Sequence, residues 1–204
     1  MEPVRDVTGV ILAGGNSSRY GKNKAFVEVN GTPLIERVIG VMASVFDEVI
    51  LMTNTPDEYV HLGLPMYADL IKGLGPVGGI YTALTVIRNA AGFFVACDMP
   101  ALNAGLIRYM AAVRGAFDVV VPKISWRIEP LHAIYGRRCL PEVKRLIDAR
   151  QYQIFHFFPK VSVRHVTEEE IRRYDPDLSS FFNINRPEDL RSGKRGPRPG
   201  VRAE

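Results

Sequence analysis

The sequence predicts a three-layer α/β domain with a mainly parallel central sheet. Three observations predict it. Short apolar runs bounded by glycine or turn residues read as strands buried on both faces. Segments with apolar residues at helical spacing alternate with those runs through the first half of the chain. Glycine loops and carboxylates stand just after the apolar runs, where open α/β sheets place their ligands.

The elements are these, in chain order. Gly9-Val10-Ile11-Leu12-Ala13 is a buried strand, and Asn30-Gly31 is a tight-turn signal. Thr32 as cap and Pro33 at the first helical position predict a helix start, continued by Leu34, Ile35, Val38, Ile39, Met42, Val45 and Phe46. Val49–Met52 reads as a strand, residues 57–62 as a short helix and Met66-Tyr67-Ala68 as a brief strand. The glycine loop "KGLGPVGG" precedes a helix over Ile80–Asn89, and Phe93–Cys97 is another buried strand. A helix over Ala104–Arg114 leads to Val119-Val120-Val121, followed by a strand Leu131–Tyr135, a helix Pro141–Ala149, a strand Val161–Val166 and a helix Glu168–Tyr174. No internal repeat or dividing linker interrupts residues 1–190, which are expected to form one domain.

Of the 204 residues, 47% are apolar, enough for a packed core. No apolar run approaches the ~20 residues of a membrane span, and the start Met1-Glu2-Pro3-Val4-Arg5-Asp6 lacks signal-peptide character. A cytoplasmic protein is expected. The two cysteines, Cys97 and Cys139, form no CxxC or disulfide framework, and Cys97 reads as a buried apolar thiol. The net charge of +4 resides in residues 191–204, which hold five basic side chains and one acid; the rest is balanced at 21 basic and 21 acidic residues. That Gly- and Pro-rich tail is expected to be disordered, and nucleic-acid binding is not expected from a balanced body.

"LAGGNSSRYGKNKA", Leu12 to Ala25, matches neither familiar phosphate loop. A P-loop needs Gly-x-x-x-x-Gly-Lys-Ser/Thr, but Gly15 and Gly21 enclose five residues and Lys22 precedes Asn23; Gly14-Gly15-Asn16 breaks G-x-G-x-x-G. Its chemistry still suits an anion. Gly14 and Gly15 let backbone N–H groups approach oxygens, Arg19 offers a planar fork and Lys24 a mobile point charge. The competing reading is a glycine turn with solvated basic residues. Asp98 follows a buried strand in "ACDMPAL", stiffened by Pro100 and with Met99 free to pack inward. A carboxylate there meets the need of a Mg²⁺–nucleotide site; the alternative is a cap of the next turn. Asp69 stands similarly ahead of "GLGPVGGI", as ligand or turn residue.

Taken together, these segments make the chain similar to the molybdenum cofactor guanylyltransferase family, within the Rossmann-like nucleotidyltransferases. The resemblance rests on Leu12-Ala13-Gly14-Gly15 with Arg19, Gly21 and Lys24; on Asp69 with Gly73-Leu74-Gly75-Pro76 and Gly79; and on Cys97-Asp98-Met99-Pro100. "EPLHAIY" (Glu129 to Tyr135) and "FFNINRPEDL" (Phe181 to Leu190) complete five blocks in order over roughly residues 7–190. Two positions depart from the family pattern: Tyr20 stands for the usual Met and Arg186 for the usual Thr, which touches substrate fit more than reaction type.

The resemblance implies a Rossmann-like nucleotidyltransferase fold and GTP contacts at Leu12, Ala13, Gly14, Lys24, Asp69 and Asp98, with Asp98 on Mg²⁺. It extends to Asn54 on the nucleotide and to Asn183 and Asn185 as acceptor or second metal ligands. The implied reaction passes GMP from GTP to the terminal phosphate of molybdopterin, with Gly15, Arg19 and Lys24 holding the triphosphate and pyrophosphate leaving. Its partners are GTP, the cofactor, and cofactor-synthesis or acceptor enzymes. No Ser-His-Asp or Cys-His constellation is present, as fits a nucleophile already anionic at neutral pH. Glu129 and His132 read as pterin contacts or as structural residues. His61, His156 and His165 are scattered and receive no role. CTP in place of GTP, transfer to a sugar phosphate, and a non-catalytic nucleotide or cofactor adaptor stay open.

Overall fold

A computed structural model describes residues 2–14 and 23–184. Gly15, Arg19, Tyr20, Asn185, Arg186 and the basic tail lie outside the described residues.

Among the described residues, ten strands and five α-helices run in the order β1 (Val7–Leu12), β2 (Glu28–Val29), β3 (Thr32–Pro33), α1 (Leu34–Val45), β4 (Val49–Met52), β5 (Met66–Tyr67), α2 (Pro76–Val86), β6 (Ala91–Ala96), α3 (Ala104–Ala112), β7 (Val119–Ile124), β8 (Arg127–Ile128), β9 (His132–Gly136), α4 (Leu140–Asp148), β10 (Val163–Thr167) and α5 (Glu168–Arg172). The main sheet has the order β10-β7-β9-β6-β1-β4-β5, with β8 paired to β7. β1 runs parallel to β4 and β6, β4 to β5, and β7 to β10, whereas β9 runs antiparallel between β6 and β7. The mainly parallel expectation holds, with β9 reversed in the middle.

Every residue of β1 and of β4 is buried, because helices cover both faces of the sheet. One core joins Ile11 and Phe93 to Ile35, Val38 and Met42 of α1, Leu106, Ile107 and Met110 of α3 and Ile171 of α5. The other joins Val10 and Leu12 to Val77, Ile80 and Leu84 of α2 and to Val143, Leu146 and Ile147 of α4. These are the three expected layers.

Several local expectations need correction. Thr32 is not a helix cap: Thr32 and Pro33 pair with Glu28 and Val29 in a small hairpin closed by Asn30 and Gly31, both at positive φ. Pro33 keeps an extended ψ of 142°, and α1 starts at Leu34 with no side-chain cap. The short helix over residues 57–62 is two 3₁₀ turns, Pro56–Glu58 and Val60–Leu62, with Tyr59 between them. α2 starts at Pro76, four residues before the expected Ile80, so the last four residues of "KGLGPVGG" are helical. Proline is suited to the first helical turn because its missing N–H has no partner there. The β7–β8 hairpin has no counterpart among the sequence expectations.

Candidate active site

The site lies along the sheet edge formed by the carboxyl ends of the parallel strands. Backbone bonds extend the ladder past the strand ends and fix the register of the loops beyond them. Ala13 N donates to Met52 O (2.9 Å), Cys97 N to Leu12 O (3.1 Å) and Thr53 N to Tyr67 O (2.9 Å). Gly14, exposed and at the mouth of residues 15–22, is therefore flanked by Thr53-Asn54 beyond β4 and by Cys97-Asp98 beyond β6.

Asp98 is the hub of one side. Its Oδ2 accepts from Lys24 Nζ at 2.8 Å and its Oδ1 from Asn183 Nδ2 at 2.7 Å. Ile184 N donates to the Asp98 carbonyl at 3.1 Å, so the late segment is tied to this turn by backbone as well as side chain. The Lys24 and Asp98 side chains are 18% and 19% exposed, sheltered enough for the ion pair to matter and open enough to reach a ligand. Asn183 is buried, and among the described residues its Oδ1 has no hydrogen-bond partner. A buried acceptor without a partner is costly unless something binds it. Met99 is fully buried below, as expected. Asp98 does not cap α3; that duty falls to Asn103, whose side chain accepts from Leu106 N.

The other side is a pair. Asn54 Nδ2 donates to Asp69 Oδ2 (2.8 Å), while Asp69 N donates to Asn54 Oδ1 (3.0 Å). Asp69 lies against the first turn of α2: a methyl group on Gly79 would stand 3.7 Å from its Oδ1 and 2.9 Å from Leu12 Cδ2. Gly75 caps that helix at φ 60°, ψ −145°, a conformation nearly restricted to glycine.

Two residues that carried no sequence expectation hold the ends of segment 14–22. The Tyr59 hydroxyl donates to Ala13 O at 3.4 Å and accepts from Asn23 Nδ2 at 2.8 Å. Asn23 also donates to Glu58 Oε2 (2.7 Å) and, through Oδ1, receives Ala25 N, capping the 3₁₀ turn that carries Lys24. Burial pushes the Tyr59 phenol up to about 12, so it stays a neutral donor at pH 7. Cys97 is likewise held protonated, pushed up to about 12 by burial and then by the Asp98 charge.

His132 and Glu129 are buried. His132 packs edge-on between Phe93 and Phe181, at centroid distances of 5.1 and 5.0 Å. Both residues reach the site edge because β9 is reversed: His132, its first residue, pairs with Val95 near the carboxyl end of β6.

Of the sequence-predicted residues, the structure brings Lys24, Asp98 and Asn183 into contact, pairs Asn54 with Asp69, and sets Leu12, Ala13 and Gly14 between the two groups. Gly15, Arg19 and Asn185 fall outside the described residues. Among the described residues no group of three or more His, Cys, Asp and Glu is placed to hold a metal ion. The fitting donors are instead one carboxylate, Asp98, and the buried amide oxygen of Asn183.

Residues 9–164 match the profile of the MobA-like NTP transferase domain. The chain belongs to the MobA-like NTP transferase family. It is a nucleotidyltransferase by that membership and by the relatives it matches. It is 40% identical over 183 residues to a probable molybdenum cofactor guanylyltransferase of Pelotomaculum thermopropionicum, covering 90% of this chain and 89% of the relative. It is 37% identical over 196 residues to the molybdenum cofactor guanylyltransferase of Desulfosudis oleivorans, covering 95% and 97%. The crystal structure of molybdopterin-guanine dinucleotide biosynthesis protein A from Archaeoglobus fulgidus superposes with a TM-score of 0.78 at 27% identity, over 91% of this chain and 95% of that one. The family resemblance drawn from the five sequence blocks therefore holds, in fold and in reaction class. No helix of the described residues is long and apolar enough to cross a membrane.

Proposed function

We propose that the chain transfers GMP from GTP to the terminal phosphate of molybdopterin, releasing pyrophosphate. The observation that carries this reading is the Lys24–Asp98–Asn183 cluster, set beside Gly14 at the carboxyl edge of the sheet. The names of the matched relatives supply the nucleotide and the acceptor.

An oxygen of the acceptor's phosphate monoester attacks the α-phosphorus of GTP. A P–O bond forms there, the bond to the bridging oxygen of the β-phosphate breaks, and that oxygen leaves with pyrophosphate. The product is a phosphoanhydride joining guanosine to the cofactor. The nucleophile is already anionic at pH 7, so no base is required, and the protein's work is positioning and charge neutralisation. The Gly14-Gly15 backbone, Arg19 and Lys24 hold the triphosphate and stabilise the leaving pyrophosphate. Leu12, Ala13, Asn54 and Asp69 hold the nucleoside side, where guanine's N1–H and N2–H₂ donors need an acceptor such as the Asp69 carboxylate.

Asp98 and the Oδ1 of Asn183, with Asn185 as a further donor, would hold Mg²⁺, which takes few protein oxygens and fills its octahedron with water and phosphate. When bound, it supplies charge stabilisation on the phosphate oxygens. Residues 1–190 act as one transferase domain. The reaction takes place in the cytoplasm, and the product passes to cofactor-synthesis or acceptor enzymes.

The test is pyrophosphate release from each of the four nucleoside triphosphates with Mg²⁺ and molybdopterin. GTP-dependent release is expected. Preference for CTP would convert the reading to cytidylyl transfer, and nucleotide binding without release would leave an adaptor.

A further inference from the structure

The exposed tryptophan at the tip of the β7–β8 hairpin has no part in the cluster around Asp98. Trp126 is the one tryptophan of the chain, and it is 53% exposed. Such a ring on a surface is costly to hydrate and suited to stacking.

Its support is firm. Lys123 pairs with Ile128 and Ile124 with Arg127, and Ile124 and Ile128 are buried beneath the turn. Ser125, at φ 54°, bonds through its N–H (3.2 Å) and hydroxyl (3.4 Å) to Glu168 Oε2. The Arg127 guanidinium lies 5.9 Å from the indole centroid, close enough for a cation–π contact. The backbone of the turn that carries the ring is thus anchored on both sides.

Its place on the sheet edge is fixed by register. β7 is separated from β6 only by β9. The axes of β6 and β7 are two strand spacings apart, roughly 10 Å, so Asp98, beyond β6, and Trp126, beyond β7, stand past the same edge of the sheet with only β9 between their strands. Between their strands β9 opens with His132, which is in ring contact with Phe181, and Phe181 leads to Asn183. Asn54 and Asp69 lie past Asp98 in the opposite direction, beyond β4 and β5. In-line displacement sets the attacking and leaving groups on opposite sides of the α-phosphorus. With the nucleoside toward β4 and β5 and the reacting phosphate at Asp98, the acceptor must extend toward β9 and β7.

We propose that Trp126, on the β7–β8 hairpin, is the platform on which the pyrimidinone ring of a pterin acceptor stacks while its phosphate reaches Asp98. The inference rests on the guanylyl-transfer reading. The pyrimidinone ring of a reduced pterin is flat and conjugated and offers a face on which indole can stack, and base–aromatic stacking of this kind is worth about 1–3 kcal/mol.

The full chain is assayed with GTP and Mg²⁺ saturating and molybdenum-loaded molybdopterin varied. Trp126→Ala is expected to raise KM for molybdopterin about tenfold and leave KM for GTP unchanged; Trp126→Phe restores it to within about threefold. In the wild-type chain, molybdopterin alone should quench the tryptophan emission, all of which comes from Trp126. An unchanged KM in the alanine variant, or quenching by GTP with none by molybdopterin, overturns the platform while leaving guanylyl transfer standing. A wild-type chain that quenches with molybdopterin yet releases no pyrophosphate from GTP overturns the transfer reading instead.

Discussion

Asp98→Asn tests the hub of the site, because it removes a charge and keeps the shape. In the structure both carboxylate oxygens act as acceptors, one from Lys24 Nζ and one from Asn183 Nδ2. An asparagine has only one acceptor oxygen, so whichever way its amide turns, its NH₂ faces one of those donors. The variant loses one charge-assisted hydrogen bond, worth about 1.5–3 kcal/mol, and removes the Asp98 charge from beside the sheltered Lys24 ammonium. The pair is 18% and 19% exposed, so solvent softens the penalty. A net loss of about 2–3 kcal/mol is expected, lowering the melting temperature by roughly 4–12 °C for a chain of this size. Ordinary domains have about 5–15 kcal/mol to lose, so the variant remains folded at 25 °C.

Turnover should fall far more than stability. Losing a metal-binding carboxylate removes several kcal/mol of transition-state stabilisation, and about 4 kcal/mol is a factor of about 10³ in rate. The assay is pyrophosphate release over a Mg²⁺ series, with far-UV circular dichroism at the assay temperature to show the fold intact. Mg²⁺-dependent turnover within tenfold of wild type would remove Asp98 from the metal role. An unchanged melting temperature would refute the coupling of Lys24 to Asp98.

Lys24→Ala should cost about 2–4 kcal/mol of transition-state stabilisation, a loss of roughly 30- to 1000-fold in kcat/KM for GTP; an effect confined to acceptor KM would contradict its place on the triphosphate. Tyr59→Phe deletes the hydroxyl that joins Ala13 to Asn23. It should cost about 1 kcal/mol in denaturant unfolding and raise KM for GTP severalfold, whereas a merely structural role would move stability alone. Gly75→Ala places a side chain at φ 60°, ψ −145° with open space around it, so backbone strain of about 1–3 kcal/mol should appear as a lower melting temperature. Burial alone would raise the Glu170 carboxyl, but hydrogen bonds from Tyr109, the Thr167 backbone and Arg164 outweigh it and hold it at about 2 against a usual 4.5. The stability this gives is fully present above about pH 4.5 and lost as pH falls toward 2, up to roughly 3 kcal/mol and nearer 1–2 after solvent screening. Glu170→Gln should therefore be destabilised at pH 7 and converge with wild type near pH 2; equal gaps at both pH values would refute the assignment.

The strands were legible because burial on both faces leaves a mark in every residue. β4 and β6 are apolar throughout and β1 is so apart from Thr8, and their partners follow from strand–helix alternation. The residue types of the site were legible for a similar reason: a carboxylate or glycine loop directly after an apolar run sits at a strand end whatever its neighbours are. Their partners were not. Lys24 and Asn183 meet Asp98 across sequence separations of 74 and 85 residues, and no local pattern encodes such contacts. Tyr59 and Asn23 were missed because a buried tyrosine between two short 3₁₀ turns has no period to detect. Thr32-Pro33 misled because a threonine before a proline suits a cap as well as a hairpin strand, and pairing with Glu28 and Val29 decided between them.

The direction of β9 is different, because a signal for it was present. Seven residues separate Ile124 of β7 from His132 of β9, whereas a parallel return normally needs a crossover of a dozen residues or more. The spacing alone therefore requires an antiparallel return. That reversal has a functional consequence. In a wholly parallel sheet, the residue opening β9 would lie at the amino edge, remote from Asp98. Reversed, β9 begins at the carboxyl edge, so Glu129 and His132 join Asp98 there, next to the hairpin that the end of β7 already places at that edge. On the proposed guanylyl transfer, the reversed strand would supply the acceptor half of the edge, and the parallel strands β1, β4 and β5 the nucleotide half.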